Sequence, residues 1–401
     1  MRIAILGSRG IPARWGGAEV VSEELATRLA ARGHEVTVYC RARYSDPSRP
    51  REYRSVRLVY TPYLPGKYLE SPSHEVVSAL HSLVQPFDVY YVLCCRTSWC
   101  YVLHRLAGKR VVFNTNGLDW LRRKWGAVVR TYLRFSFWAA LRLATRVTSD
   151  SRAICEYIRR EFGVEAHYLS WGAYVLPPVA ASILEEYGLT PGGYFLVVCR
   201  IEPENNVDLI VRAFEGVETS KRLVVVGGVN YRSRYVRRLR RTKDPRVVFT
   251  GPVYRPGHVD TLLRYAFAYI DGHEVGGTSP GLLRAMGCGA CVLVFDRPFN
   301  AEVVGDAGLL WKKSEEDLRD KMRRLLANPE LAARYGALAV ERVRQHYTWE
   351  MAADAHERFF LDLVRGEAPS LLAWQQRART RGGPARAVHD GRSGSASGDA
   401  R

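Results

Sequence analysis

Residues 271–300 read DGHEVGGTSPGLLRAMGCGACVLVFDRPFN. The apolar run at 266–270 just before them suits a buried strand, and 271–277 supplies the polar, glycine-rich loop expected at that strand's carboxyl end. Ser279 is placed to cap a helix by accepting a backbone N–H. Pro280 suits the first helical position, where its missing donor would have had no partner. A second apolar run at 291–295 follows, so the order is strand, loop, helix, strand. The amides of Gly277, Thr278 and Ser279 are then expected to face the open helix end, whose partial positive charge attracts phosphate. An ordinary strand-to-helix turn would carry the same glycines, but it would have no need of Glu274 among them. A carboxylate is repelled by phosphate, so Glu274 is better suited to gripping hydroxyl groups attached beyond it. Phosphate with hydroxyls beyond it describes a nucleotide sugar.

Working outward, the same alternation recurs. Strand-like runs at 194–199, 222–226 and 247–249 alternate with helical stretches, which makes a second doubly wound sheet, and 316–365 is helical in pattern. Before it, a proline-containing connection over about 171–190 marks a boundary. The first half opens with a strand at 3–6, the loop GSRGIPARWGGAE, a helix over about 18–31 and a strand at 35–40. Further runs at 56–60, 89–94 and 110–114 complete another alternating α/β series. The glycines at 7, 10, 16 and 17 do not form the GxGxxG of a dinucleotide site, and Arg41 stands where an acidic residue would hold an NAD ribose. Arg41 and Arg43 leave an NADP phosphate as a secondary alternative. The expected fold class is α/β, with two doubly wound Rossmann-like domains facing each other across a cleft. The expected division is an amino-terminal domain over 1–172, a linker over 173–190 and a second domain over 191–345. A helix over 346–365 is expected to pack back on the first domain. The arginine-, glycine- and serine-rich tail at 366–401 has too few apolar residues to pack and is expected to be disordered.

With 401 residues and 47% apolar content the chain can bury substantial cores. No stretch approaches the roughly 18 apolar residues of a membrane span, and the opening run is too short for a signal peptide. A cytoplasmic location is expected. The eight cysteines do not form a disulfide framework. Cys288 and Cys291 make a lone CxxC without further ligands at matching spacing, so no metal is expected. The net charge of +18 is concentrated, with seven basic and no acidic residues at 121–146 and eight basic residues against Asp244 at 231–246. An anionic partner follows, and membrane surface, nucleic acid and phosphorylated substrate all qualify by charge. No nucleic-acid motif accompanies it. In 121–147 the rings Trp125, Tyr132, Phe135, Phe137 and Trp138 alternate with Arg130, Arg134, Arg142 and Arg146. Such a helix fits a lipid headgroup region or a core equally, because periodicity does not distinguish lipid from core.

Four stretches in order, GSRGIPARWGGAE (7–19), NGLDWLRRKWG (116–126), CRIEPENN (199–206) and GHEVGGTSPGLLRAMGCG (272–289), resemble the family 4 retaining glycosyltransferases of GT-B fold. The likeness is greatest to the bacterial polysaccharide subgroup that includes rhamnosyltransferases, and it covers about residues 1–362. The resemblance implies that Gly16 and Gly17 close over the donor diphosphate and that Arg200 is directed at it. It implies too that Glu274 contacts the transferred sugar. Gly277, Thr278 and Ser279 would hold the phosphates. Asn205 and Asn206 stand where many relatives have a phosphate-directed lysine. Arg284 replaces a glutamate that relatives use on the nucleotide ribose, and an arginine cannot accept those hydrogen bonds. Asn116 replaces an aspartate or histidine near the reacting centre and cannot act as acid or base. Asp119 is the remaining polar candidate there; it and Trp120 fit a helix cap and a packed aromatic as well. The resemblance implies a nucleoside diphosphate sugar as co-substrate, no cofactor or metal, and a glycan, in particular a lipid-linked one, as acceptor. The sugar is expected to be a hexose or a deoxyhexose such as rhamnose. A GT-B epimerase and a non-catalytic sugar-nucleotide-binding homologue are the rival readings.

Overall fold

The computed structural model describes residues 1–13, 16–42, 48–66, 68–177, 180–229 and 233–366. Arg43, residues 231 and 232 of the second basic run, and the tail from 367 onward lie outside the described residues.

Two sheets carry the fold. The first contains β1 (Arg2–Leu6), β2 (Glu35–Arg41), β3 (Glu52–Tyr53), β4 (Val56–Thr61), β5 (Val89–Val92), β6 (Val111–Asn114), β7 (Arg146–Ser149) and β8 (Ala166–Tyr168). Their spatial order is β3-β4-β2-β1-β5-β6-β7-β8, parallel throughout except where the short β3 runs against β4. The second contains β9 (Tyr194–Val198), β10 (Arg222–Val226), β11 (Val247–Gly251), β12 (Ala268–Asp271), β13 (Val292–Phe295) and β14 (Leu309–Trp311), in the order β11-β10-β9-β12-β13-β14 and all parallel. Helices cover the sheets, so central strands are apolar on both sides rather than alternating. Ile3, Ala4, Ile5 and Leu6 are all fully buried, as are Leu223, Val224 and Val225.

Strand order reverses between β1 and β5 in the first sheet and between β9 and β12 in the second. At such a reversal the connections leave in opposite directions and open a crevice at the carboxyl ends of the strands, where ligands of doubly wound folds bind. The loop carrying Gly16 and Gly17 follows β1, Arg96 follows β5, Arg200 follows β9 and Glu274 follows β12.

The basic aromatic segment departs from a single helix. A 3₁₀ turn at Asp119–Leu121 and the helix Ala127–Leu143, preceded by extended Gly126, are followed by β7. That helix buries Leu133, Ser136, Phe137, Ala140 and Leu141 on one side. Its other side exposes Val128, Phe135 and Trp138 with Arg130, Arg134 and Arg142. Core and surface are thus both present, on opposite faces. Trp99, Val102, Leu103 and Leu106 add further exposed apolar area from the neighbouring segment, whose Trp99 Nε1 donates to Tyr132 Oη at 3.1 Å. Among the described residues no helix is long and apolar enough to cross a membrane.

The final helix, Trp349–Arg365, lies against the first sheet and the helix Gly17–Ala31. Its His356 bonds Tyr91 of β5 at 3.1 Å in the core, Phe360 packs edge-on to the same ring, and Glu357 pairs with Arg32 and His34. The chain therefore crosses between the sheets twice. Trp349 passes so close to Gly172 that a Cβ there would lie 2.6 Å from Trp349 Cα.

Candidate active site

Glycines bring the two crevices together. A Cβ on Gly17, the first residue of the helix Gly17–Ala31, would lie 2.7 Å from Pro280 Cγ, so the amino ends of this helix and of Pro280–Gly287 confront each other. Gly117, at φ +141°, allows its loop to touch Gly276, where a Cβ would come within 2.9 Å of backbone; a side chain would be both strained and blocked. Ser279 caps the second helix by accepting from Leu282 N at 3.3 Å, while its hydroxyl donates to Asp271 at 3.2 Å. Pro280 occupies the first turn as the sequence predicts.

The amide of Thr278 is not free, however. It donates to Asp150 Oδ2 at 2.8 Å, and the Thr278 hydroxyl donates to the Asp150 carbonyl at 2.6 Å. Thr278 is buried, and a Cβ on Gly277 would collide with the same carboxylate. Of the three amides expected to face a phosphate, one is therefore held by a side chain that follows β7, a strand the sequence reading merged into the preceding helix. A second bridge lies beside it: Glu302 accepts from Ser151 Oγ and from the amides of Arg152 and Ala153, capping the helix Arg152–Phe162 from the other half of the chain.

Burial, with Glu302 adding repulsion, pushes the Asp150 carboxyl up to about 7, although the bond from the Thr278 amide favours the ionised form. A carboxyl with a raised pKa in the folded state holds its proton more tightly than the unfolded chain does. Its contribution is full at acid pH and is lost as pH rises through about 7. Asp150→Asn is expected to melt a few degrees higher than wild type at about pH 8 and to lack the fall in stability that wild type shows between about pH 4 and 7. Thermal unfolding across that range measures it, and an Asn variant that is less stable at the alkaline end would contradict the assignment.

Glu274 is a nearly buried carboxylate with 10% of its side chain exposed, and three cations surround it. Lys313 Nζ reaches both oxygens at 2.7 Å, Arg297 Nη2 lies at 2.9 Å and Arg123 Nη2 at 3.2 Å. Asn206 Nδ2, 3.4 Å away, comes from the 199–206 motif. Burial raises the Glu274 pKa, but Lys313, Arg123 and Arg297 outweigh it and hold the group below the usual carboxylate range. Arg200 is more than half exposed, with Nη1 3.9 Å from Glu202. Its carbonyl accepts from Asn205 Nδ2 at 2.6 Å, so Asn205 shapes the loop, and Asn205 Oδ1 is 3.3 Å from His273 Nδ1. Burial together with Arg122 and Arg200 pushes His273 down to about 3, so it is neutral at pH 7. Glu202 is buried and bonds Lys124 at 3.0 Å. Lys124 and Arg123 thus tie the 116–126 motif to the second sheet.

On the first-sheet side, Cys95, Arg96, Asn116, Gly117, Asp119 and Trp120 line a small recess. Asp119 pairs with Arg96 at 2.7 Å and with Arg122 at 2.8 Å, and these guanidiniums hold it well below the usual carboxylate range despite burial. A carboxylate so held is a weak proton acceptor; its chemistry is that of a group orienting two arginines. Asn116 donates to the Leu93 carbonyl at 3.1 Å, and Trp120 is packed against Phe137.

The structure thus gathers Glu274, Arg200 and Asn205 around one crevice with Gly277, Thr278 and Ser279, and sets Gly17 opposite Pro280 beside Gly16. Arg284 does not join them: it pairs with Asp260 at 2.6 Å, with half its side chain exposed. Arg41, the residue considered for an NADP phosphate, is buried and paired with Glu70 and Ser71, which leaves it unsuited to that task. Sequence reasoning missed Arg96, Asp150, Arg297 and Lys313. All four sit within four residues of the carboxyl end of a strand, but only the strands before Arg96 and Arg297 are legible in the sequence, so that signal could have found those two alone.

Two parallel sheets meeting at their switch points define the GT-B class of fold, and solved structures of that class superpose along nearly the whole chain. Sucrose-phosphate synthase of Thermosynechococcus elongatus matches with a TM-score of 0.76 at 19% identity, covering 91% of this chain and 99% of its own. HepE of Anabaena in complex with UDP and glucose gives 0.73 at 16%, covering 90% and 100%. WaaG, a glycosyltransferase involved in lipopolysaccharide biosynthesis, gives 0.69 at 16%, covering 91% and 100%. Residues 192–328 match the family model described as Glycosyl transferases group 1, and residues 1–174 match one described as Domain of unknown function (DUF1972). Over residues 192–328 the chain is thus similar to the group 1 glycosyltransferase domain. A curated relative, Glycosyltransferase 1 domain-containing protein 1 of Xenopus tropicalis, is 28% identical over 107 residues, 26% of this chain. The chain spans about a third of that relative's length, 31%.

Proposed function

We propose that the protein is a retaining glycosyltransferase that moves a hexose or deoxyhexose from a nucleoside diphosphate sugar to a growing, lipid-linked glycan. The observation that carries this reading is the crevice between β9 and β12. There Arg200 and Glu274 stand beside the capped helix end at Ser279, with Gly17 facing it from the other domain. The donor diphosphate lies against Arg200, the Gly277 and Ser279 amides and the Gly16–Gly17 turn, which has no side chain to obstruct it. Glu274 accepts hydroxyls of the sugar. Positive charge for the leaving diphosphate comes from Arg200 and the helix end, so no metal is required in this reading. The acceptor hydroxyl approaches from the recess at Arg96 and Asn116. Its proton passes to the departing phosphate oxygen, because no described side chain there is a suitable base: Asp119 is doubly ion-paired, Asn116 cannot titrate and His273 is neutral and poorly basic. Solved neighbours hold UDP-glucose in HepE and take part in lipopolysaccharide synthesis in WaaG, which fits such a donor and such an acceptor. A non-catalytic homologue is favoured by Arg284, which is drawn to Asp260, and by Asn116, which cannot act as acid or base.

The exposed face of the helix Ala127–Leu143 is read as the surface that meets the inner face of the cell membrane, with Phe135 and Trp138 entering the headgroup region between arginines. Transfer to a lipid-linked acceptor in anionic vesicles, compared with a short soluble acceptor, tests function and docking together. The triple variant Arg130→Gln, Arg134→Gln, Arg142→Gln is expected to lose vesicle co-sedimentation and slow transfer to the lipid-linked acceptor, with soluble transfer little changed. Wild-type binding should weaken as salt rises. Equal vesicle binding by both proteins would contradict the docking assignment, and no transfer to either acceptor by wild type would contradict the function.

A further inference from the structure

We infer that the transferred sugar carries a carboxylate, a hexuronic acid held through Arg297 and Lys313. This rests on the reading of the crevice as a sugar-nucleotide site. Three positive groups share the single Glu274 carboxylate at 2.7–3.2 Å, so two charges are left over where the sugar is expected to lie. The surplus sits on the far side of Glu274 from the diphosphate. The adjacent strands β9, β12, β13 and β14 present, in that order, Arg200, Glu274, Arg297 and Lys313 just beyond their carboxyl ends. Arg200 at one end serves the diphosphate, and Arg297 and Lys313 lie at the other. Both are about a third exposed, and Arg123 about half, so a ligand can reach them.

A neutral sugar would satisfy Glu274 with hydroxyls and leave the two surplus charges without an anion in a site that the bound sugar makes drier, which is unfavourable. A carboxylate on the sugar would instead form charge-assisted hydrogen bonds with the guanidinium and ammonium, each stronger than a neutral bond. Glu274 could then keep Arg123 as partner while accepting ring hydroxyls. The inference selects an acidic hexose over a deoxyhexose, whose methyl group at the same carbon has no use for either cation.

Calorimetric titration of the full chain with matched donors tests it: uridine diphosphate glucuronate against uridine diphosphate glucose, the corresponding galacturonate and galactose pair, and guanosine diphosphate mannuronate against guanosine diphosphate mannose. In at least one pair the acidic member is expected to bind at least about tenfold more tightly, equivalent to about 1.4 kcal/mol. Arg297→Gln and Lys313→Gln should each reduce that preference, and Lys313→Arg should keep most of it. Binding of the bare nucleoside diphosphate should change by less than about threefold in every variant. Neutral donors binding as well as acidic ones would overturn the inference while leaving the proposed function standing. Equal loss of bare nucleotide in the Gln variants would assign the cations to the diphosphate and overturn it too. If no sugar nucleotide binds, the reading of the site falls and the inference with it.

Discussion

Glu274→Gln is expected to lower sugar transfer by at least about a hundredfold, equivalent to roughly 2.7 kcal/mol of transition-state stabilisation, while leaving the protein folded. The substitution keeps the shape of the side chain and removes the charge that orders Lys313, Arg297 and Arg123. Two separate losses follow: the sugar hydroxyls lose a charged acceptor, and the three cations lose their common partner. The fold should survive because each cation is at least a third exposed and can be solvated by water. Bare nucleoside diphosphate should bind as well as before or better, since a negative charge near the site has gone. Thermal unfolding, nucleotide titration and initial rates separate these effects. Normal turnover in a folded variant, or outright unfolding, would remove Glu274 from the sugar site.

Arg200→Ala is expected to lower turnover by at least about tenfold, about 1.4 kcal/mol, with a smaller effect on donor binding. The guanidinium is largely exposed, and its nearest carboxylate, Glu202, is 3.9 Å away and already bonded to Lys124. It is therefore available to a diphosphate whose charge grows as the glycosidic bond breaks. Lysine should restore activity only in part, because an ammonium lacks the planar fork that grips two phosphate oxygens. Unchanged kinetics in both variants would place Arg200 outside the site.

What the sequence could reveal depended on whether a feature is local. The strand read at 266–270, the Ser279 cap and Pro280 depend on neighbours within a few residues; the strand is found at Ala268–Asp271, and the cap and the proline are found as read. The β7 strand was hidden because RVTS follows a basic aromatic run without glycine or proline to separate them, so a helical period seemed to continue to Val147. β14 is only LLW, too short for any period. The deeper gaps concern partners far apart in sequence. Nothing near Thr278 announces that its amide meets Asp150, 128 positions earlier, and nothing near Glu274 announces Arg123, 151 positions earlier. A lone carboxylate among glycines reads as free; in the folded chain it is the centre of an ion cluster. Arg284 shows the converse, since its departure from the family pattern was legible but its pairing with Asp260 was not.

On the proposed function, the crevice between β9 and β12 binds a nucleoside diphosphate sugar through both phosphate and sugar. The most direct test is isothermal titration of the full chain with uridine, thymidine, guanosine and adenosine diphosphate sugars beside the corresponding bare diphosphates. Saturable binding is expected for sugars of one base, with competition by the matching diphosphate and loss of the sugar-dependent part of the affinity in Glu274→Gln. The claim would be contradicted if no donor in the panel bound, or if Glu274→Gln bound every donor as wild type does.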